Sequence, residues 1–172
     1  MPMTANDLKN LALTEINHEI ITDWNDQSNT DIPIVNTQYK LAVIIGLAKY
    51  PWSFATKSAV LTLDQEIDPE TDPFQKFKYV TELPEDVIGY VAAYQTIGKK
   101  IYTNHQTLYL KYVGTVPESE YSAEYVDWFK TFFAARLNPY LNGDMQRQQV
   151  LETQEMVLFK AAKNIDSKLN KH

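Results

Sequence analysis

Residues 121–141, YSAEYVDWFKTFFAARLNPYL, decide what kind of fold this chain can adopt. Tyr125, Trp128, Phe129, Phe132, Phe133, Arg136 and Leu137 recur at three- and four-residue spacing, which sets an aromatic row along one broad helical face. Such a face predicts the most buried helix of the protein, interrupted at Pro139 and Asn142-Gly143. Rings in a row can also serve as a platform for nucleic-acid bases, but such platforms are accompanied by Lys and Arg. Here Glu118, Glu120, Glu124 and Asp127 lead into the helix, so the row is expected to pack a core or a subunit contact.

Helical signals extend outward on both sides. Downstream, Leu151, Leu158, Ala162, Ile165 and Leu169 form a narrow apolar stripe through Asp144 to His172, broken by Glu155. That segment either closes the bundle or serves as an arm that docks on a partner. Upstream, Thr4 and Asp7 fit a capping box, and Leu8, Ala12, Ile16, Ile20 and Trp24 recur every four residues, predicting a helix of about five turns. The turn formers Asn25 to Asp31 and the pair Ile32-Pro33 predict an extended link. A second helix is expected from near Asn36 to Pro51, with Leu41, Ile44, Ile45 and Ala48 inward, pairing antiparallel with the first.

Between these helices the period changes toward two. Ala59 to Leu63, and Phe77, Tyr79 and Leu83, read as strands, separated by the polar loop Asp64 to Pro73. Pro84 to Thr96 predicts one short helix with Ile88, Val91 and Ala92 inward. Ile101-Tyr102 and Leu108, Leu110 and Tyr112 predict a hairpin about the turn Thr103 to Gln106. The expected class is α+β, mainly α: a helical bundle with a small antiparallel β-region between its N-terminal and C-terminal helices. Its length of 172 residues favours one domain, divided as helices 1–50, a β-rich insert 51–116 and helices 117–172.

The net charge of −6 gives no footprint for gripping phosphate, and Lys99-Lys100 is the densest basic cluster before the scattered C-terminal lysines. No cysteine is present, which removes disulfides, thiolate metal sites and thiol nucleophiles. Without a leader pattern or a long apolar run, the chain is expected to be soluble and unprocessed. His18, His105 and His172 stand apart from one another, and neither a nucleophile elbow nor a phosphate-cradling glycine loop occurs. Asp64, Glu66, Asp68, Glu70 and Asp72 alternate like calcium ligands, yet Pro69 stands where such a loop needs Gly and Gln75 where it needs a bidentate Glu. A solvated acidic loop is expected there. No catalytic, cofactor-binding or metal-ligating residue is assigned, and the chain is expected not to be an enzyme.

The stretch Tyr50-Pro51-Trp52-Ser53-Phe54-Ala55-Thr56-Lys57 resembles the adaptor, or tail tubular protein A, family of head-to-tail connectors in short-tailed phages. The order of the surrounding features is similar too: Phe77-Lys78-Tyr79 leading into Leu83-Pro84-Glu85-Asp86, then Leu108-Tyr109, then the aromatic helix from Tyr121 to Leu141. The likeness covers about residues 5–142. Two features depart from it: the link stretched by Asn25 to Asp31, and Ala135-Arg136-Leu137-Asn138 where the family more often has a small apolar run. The resemblance implies a virion protein made in the host cytoplasm, a ring of twelve copies under the portal protein, with a downstream tail protein on the other side and DNA crossing the lumen without specific binding. On physical grounds Trp52 and Phe54 are expected to wedge between the helical pair and the sheet. The alternatives are another neck or tail-completion ring of the virion, and a ligand-binding domain or enzyme without a known motif.

Overall fold

A capping box closes the amino end of the first helix, α1 (Ala5–Glu15), as the sequence predicts. The Thr4 hydroxyl accepts the Asp7 N–H at 3.2 Å, and the Asp7 carboxylate accepts the Thr4 N–H at 2.9 Å. In the computed structural model, which describes residues 2–63, 66–67, 77–91 and 95–169, this helix runs three turns rather than five. Asn17 adopts the left-handed conformation at φ 54°, the Asn17 N–H bonds back to Thr14 O (3.0 Å) and the His18 N–H to Leu13 O (2.9 Å). This is a Schellman stop with Asn in the position usually held by Gly. The Asn10 amide then brackets the returning chain by donating to Ile21 O and accepting the Ile21 N–H, both at 3.0 Å. Ile16 is buried but Ile20 is exposed, so the four-residue spacing continues in sequence after the helix has ended. Trp24 lies instead beside α1, its ring 4.6 Å from the ammonium of Lys9.

The second helix, α2 (Asp31–Ala48), starts five residues earlier than expected. Pro33 falls in its first turn, where backbone N–H groups have no partner inside the helix, so the missing donor breaks no bond. The inward face also differs from the expected one. Ile32, Val35, Tyr39, Ala42, Gly46 and Leu47 are buried, whereas Leu41, Ile44, Ile45 and Ala48 point outward. Both faces are apolar, so hydrophobic spacing alone does not choose between them. Close approach does: a Cβ on Gly46 would stand 2.8 Å from the Tyr125 hydroxyl and 3.2 Å from the Phe129 ring.

The helices α3 (Ala123–Leu141) and α4 (Met145–Leu169) complete this helical unit. Ser122 caps α3, and Tyr125, Trp128, Phe129, Phe133 and Leu137 are buried along it as predicted. Pro139 is carried within the last turn, and the stop comes at Asn142-Gly143, with Gly143 at φ 64° and its N–H on Asn138 O. α3 is the central element. α1, α2 and α4 each pack on it, and α1 and α2 lean on α3 rather than chiefly on each other. Each aromatic side chain removed from water there contributes about 1.5–3 kcal/mol, and each well-disposed ring pair adds about 0.5–1.5.

The chain divides into two compact units, this helical one (1–54 and 116–172) and a β-unit (55–115) inserted within it. The β-unit has two three-stranded antiparallel sheets. One has the order β1 (Thr56–Thr62), β6 (Thr107–Gly114), β3 (Val87–Val91); the other has β2 (Tyr79–Glu82), β5 (Lys100–Thr103), β4 (Gln95–Ile97). The short helix expected over 84–96 is therefore replaced by β3 and β4. Val87 and Ile88 are β-branched, and Gly89 sits where the pairing of β3 with β6 shifts register. The predicted hairpin also fails to pair with itself, because β5 and β6 belong to different sheets and the chain crosses between them at Thr103 to Gln106. Alternation along β5 explains the arrangement. Ile101 joins Leu63, Leu108, Leu110 and Tyr112 in one core, and Tyr102 turns to the opposite side with Ile67 and Val80. The protein is thus α+β and mainly α, and no helix among the described residues is long and apolar enough to cross a membrane.

The left-handed stop at Asn17 gives a direct test. Asn17→Gly leaves stability within a few tenths of a kcal/mol, whereas Asn17→Val costs about 1–2 kcal/mol in urea unfolding, the penalty for a branched residue at positive φ.

Candidate functional site

The stretch Tyr50 to Lys57 is taken up in anchoring contacts. The Trp52 N–H bonds to Tyr50 O at 2.8 Å, folding the chain tightly about Pro51. The Trp52 indole is fully buried in the helical unit, where its Nε1 donates to Gly46 O at 3.0 Å. It meets Tyr125 edge-on (5.0 Å) and stacks on Trp128 (5.6 Å), with Phe159 of α4 edge-on at 6.0 Å. Phe54 packs edge-on against Tyr125 at 4.9 Å and lies tilted against Tyr121 at 5.5 Å. The rings of Trp52 and Phe54 therefore both pack on the aromatic row of α3.

Between them, Ser53 meets a carboxylate that no sequence motif marks. Asp166 of α4 is 4% exposed; it accepts the Ser53 hydroxyl at 2.5 Å and the Ser53 N–H at 3.0 Å. Glu155, the residue that breaks the apolar stripe of α4, has a comparable role. One of its oxygens accepts Trp128 Nε1 and Lys49 Nζ, both at 2.8 Å. The Lys49 ammonium also lies over the rings of Phe159 (4.7 Å), Phe132 (5.3 Å) and Trp128 (5.4 Å). A carboxylate taken out of water needs hydrogen-bond donors, which Ser53 gives to the buried Asp166, and Trp128 and Lys49 give to the partly buried Glu155. With Leu151 and Ala162 the two carboxylates hold α4 against the bundle, so the segment expected either to close the bundle or to dock elsewhere closes it here. The only sequence signal for either role was a polar residue at an inward position of the stripe.

In the β-unit, Lys57 and Asp86, which lie in two separate stretches of the resemblance, meet directly. Lys57 Nζ is 2.6 Å from Asp86 Oδ2, and the Tyr112 hydroxyl donates to Asp86 Oδ1 at 3.1 Å. The Lys57 hydrogen bond holds the Asp86 carboxyl below its ordinary pKa. Gly114 lets this cluster close, since a Cβ there would stand 2.9 Å from both Asp86 and Lys57 side-chain atoms.

The histidines remain apart. His18 Nε2 lies 3.4 Å from Asp31 at the start of α2, and His105 sits in the crossing between β5 and β6, its N–H on Thr103 Oγ1. His172 and Asp64, Asp68, Glu70 and Asp72 lie outside the described residues; Glu66 is exposed and bridges to Tyr79. Among the described residues no group of three or more His, Asp or Glu is placed to hold a metal ion.

Several large apolar side chains stay exposed among the described residues, and those on α2 lie side by side. Leu41, Ile44 and Ile45 of α2 are 44%, 52% and 41% exposed, and together with Ala48 they make one ridge at helical spacing. A helix apolar on all sides is normally covered on all sides. Comparison with protein-family models and with curated proteins finds no match for the chain.

Two outcomes are expected. Asp166→Ala strands the Ser53 donors and lowers stability by about 1–3 kcal/mol in chemical unfolding, with Asp166→Asn losing less. The Asp86 carboxyl, followed by NMR, titrates below 3.8, and Lys57→Met returns it toward that value. A lowered folded-state pKa means that the stabilisation is present above the unfolded value and is lost as pH falls through the folded one.

Proposed function

We propose that this chain is a structural, non-enzymatic subunit of the virion's head-to-tail connector, assembling as a ring of twelve copies between the portal protein and a downstream tail protein. The observation that carries this reading is the outward ridge Leu41, Ile44, Ile45 and Ala48, an apolar surface on a helix whose other face already fills the core. The polar groups that come together support it too. Asp166 with Ser53, Glu155 with Trp128 and Lys49, and Asp86 with Lys57 and Tyr112 hold elements in place. Ser53, Lys57, Asp86 and Trp128, which belong to the stretches that carry the family resemblance, are thus building residues, as expected of a part that works through its shape. Charge fits a DNA passage as well, since twelve subunits at −6 give about −72 before screening, a lumen that DNA crosses without sticking.

Light scattering coupled to size exclusion, on the protein alone and mixed with a candidate portal, tests the proposal. A ring-sized species, or a monomer that joins the portal at high stoichiometry, is the expected result. A ring that ignores every portal but binds a tail moves the assignment to another neck or tail-completion ring. A monomer indifferent to all of them, yet stabilised on heating by a metal or small ligand, overturns it in favour of a binding domain or enzyme.

A further inference from the structure

The helical unit carries a second surface feature that matches the α2 ridge. A groove of about 360 Å³ runs between α3 and α4 beside the end of α1, its lining including Thr131, Val157 and Leu158 together with Glu15, Asp127 and Lys130. A groove between two helices is the shape that receives a helical ridge at three- and four-residue spacing, and this one has room for a few aliphatic side chains. In the groove lining two carboxylates, Glu15 and Asp127, face one cation, Lys130, which leaves a net charge opposite to that of Lys40 on the ridge. Lys40, one turn before Ile44, is exposed and makes no ion pair among the described residues. Asp127, 53% exposed, keeps acceptor capacity beyond its 2.8 Å contact with Lys130.

We propose that the α2 ridge of one copy seats in the α3–α4 groove of the next copy, with Leu41, Ile44 and Ile45 against Val157 and Leu158 and Lys40 facing Asp127. The two surfaces come from different elements of one chain, so the contact is heterologous, and a heterologous contact repeated with a closing rotation makes a ring. The pairing rests on the connector reading for the closure of that ring and specifies the faces that build it. Ridge and groove bury apolar area at the centre, and the Lys40 pair at the rim sets the register.

The absence of cysteine makes the test clean. The double variant Ile44→Cys, Val157→Cys, oxidised under conditions in which the wild type assembles, is expected to give a ladder of linked species beyond the dimer, and neither single variant is expected to cross-link. Ile44→Asp, with its fold checked by circular dichroism, is expected to raise the concentration for half-assembly at least about 30-fold, the loss typical of a central contact residue. Lys40→Glu raises it up to about fivefold, and adding Asp127→Lys brings it back. A dimer from Ile44→Cys alone would mean that the ridge pairs with itself and overturns the proposal. So does a wild-type ring whose double-cysteine variant gives no ladder, or whose assembly is indifferent to Ile44→Asp; either leaves the connector reading standing. A wild type that neither assembles nor joins a portal removes both.

Discussion

The buried indole of Trp52 is the constraint from which the helical unit is built. A Trp removed from water needs a partner for its N–H, and here the acceptor is the carbonyl of Gly46, six residues back on α2. That bond holds the chain tightly against the end of α2 just after Pro51, and Gly46 itself is required because α2 lies against Tyr125 and Phe129. The rings of Trp128, Tyr125 and Phe159 then close around the indole from α3 and α4. Three helices thereby meet on one side chain at the position where the chain leaves for the inserted β-unit.

The fourth helix adds a different kind of specificity. An apolar stripe alone lets a helix slide along its partner by a turn at little cost, whereas Glu155 and Asp166 each have one set of donors they can satisfy. Shifting α4 by a turn would strand both carboxylates, together with Trp128 Nε1 and Ser53. The polar interruptions thus fix the register that the aliphatic residues leave open.

How much of this was legible in the sequence depended on which local rule was decisive. The capping box at Thr4, the aromatic face of α3 and the strand spacing in β1, β2 and β6 are local signals, and the corresponding elements form. The early stop of α1 was hidden because Ile20 and Trp24 extend the four-residue spacing past Asn17, and only the left-handed conformation there ends the helix. On α2 the spacing described two faces equally well, so the choice fell to Gly46 and Ala42, whose small size matters only once α3 is beside them. The strands β3 and β4 depend on partners distant in sequence, and the parting of β5 from β6 follows from sheet pairings that no neighbouring residue announces. The motif Tyr50 to Lys57 stood out, but its partners Asp166 and Asp86 lie 113 and 29 residues beyond Ser53 and Lys57.

The outward face of α2 links this architecture to assembly, because the same small residues that seat the helix on α3 turn Leu41, Ile44 and Ile45 to the outside. Hydroxyl-radical footprinting of the protein, before and after mixing with a portal, follows these side chains and the core together. Trp52 is expected to be protected in the monomer and in the assembled species alike, while Leu41, Ile44 and Ile45 label freely in the monomer and lose that labelling in the assembled species, whether it forms alone or on the portal. Equal labelling of the three in the monomer and in the assembled species would contradict a connector built through this face.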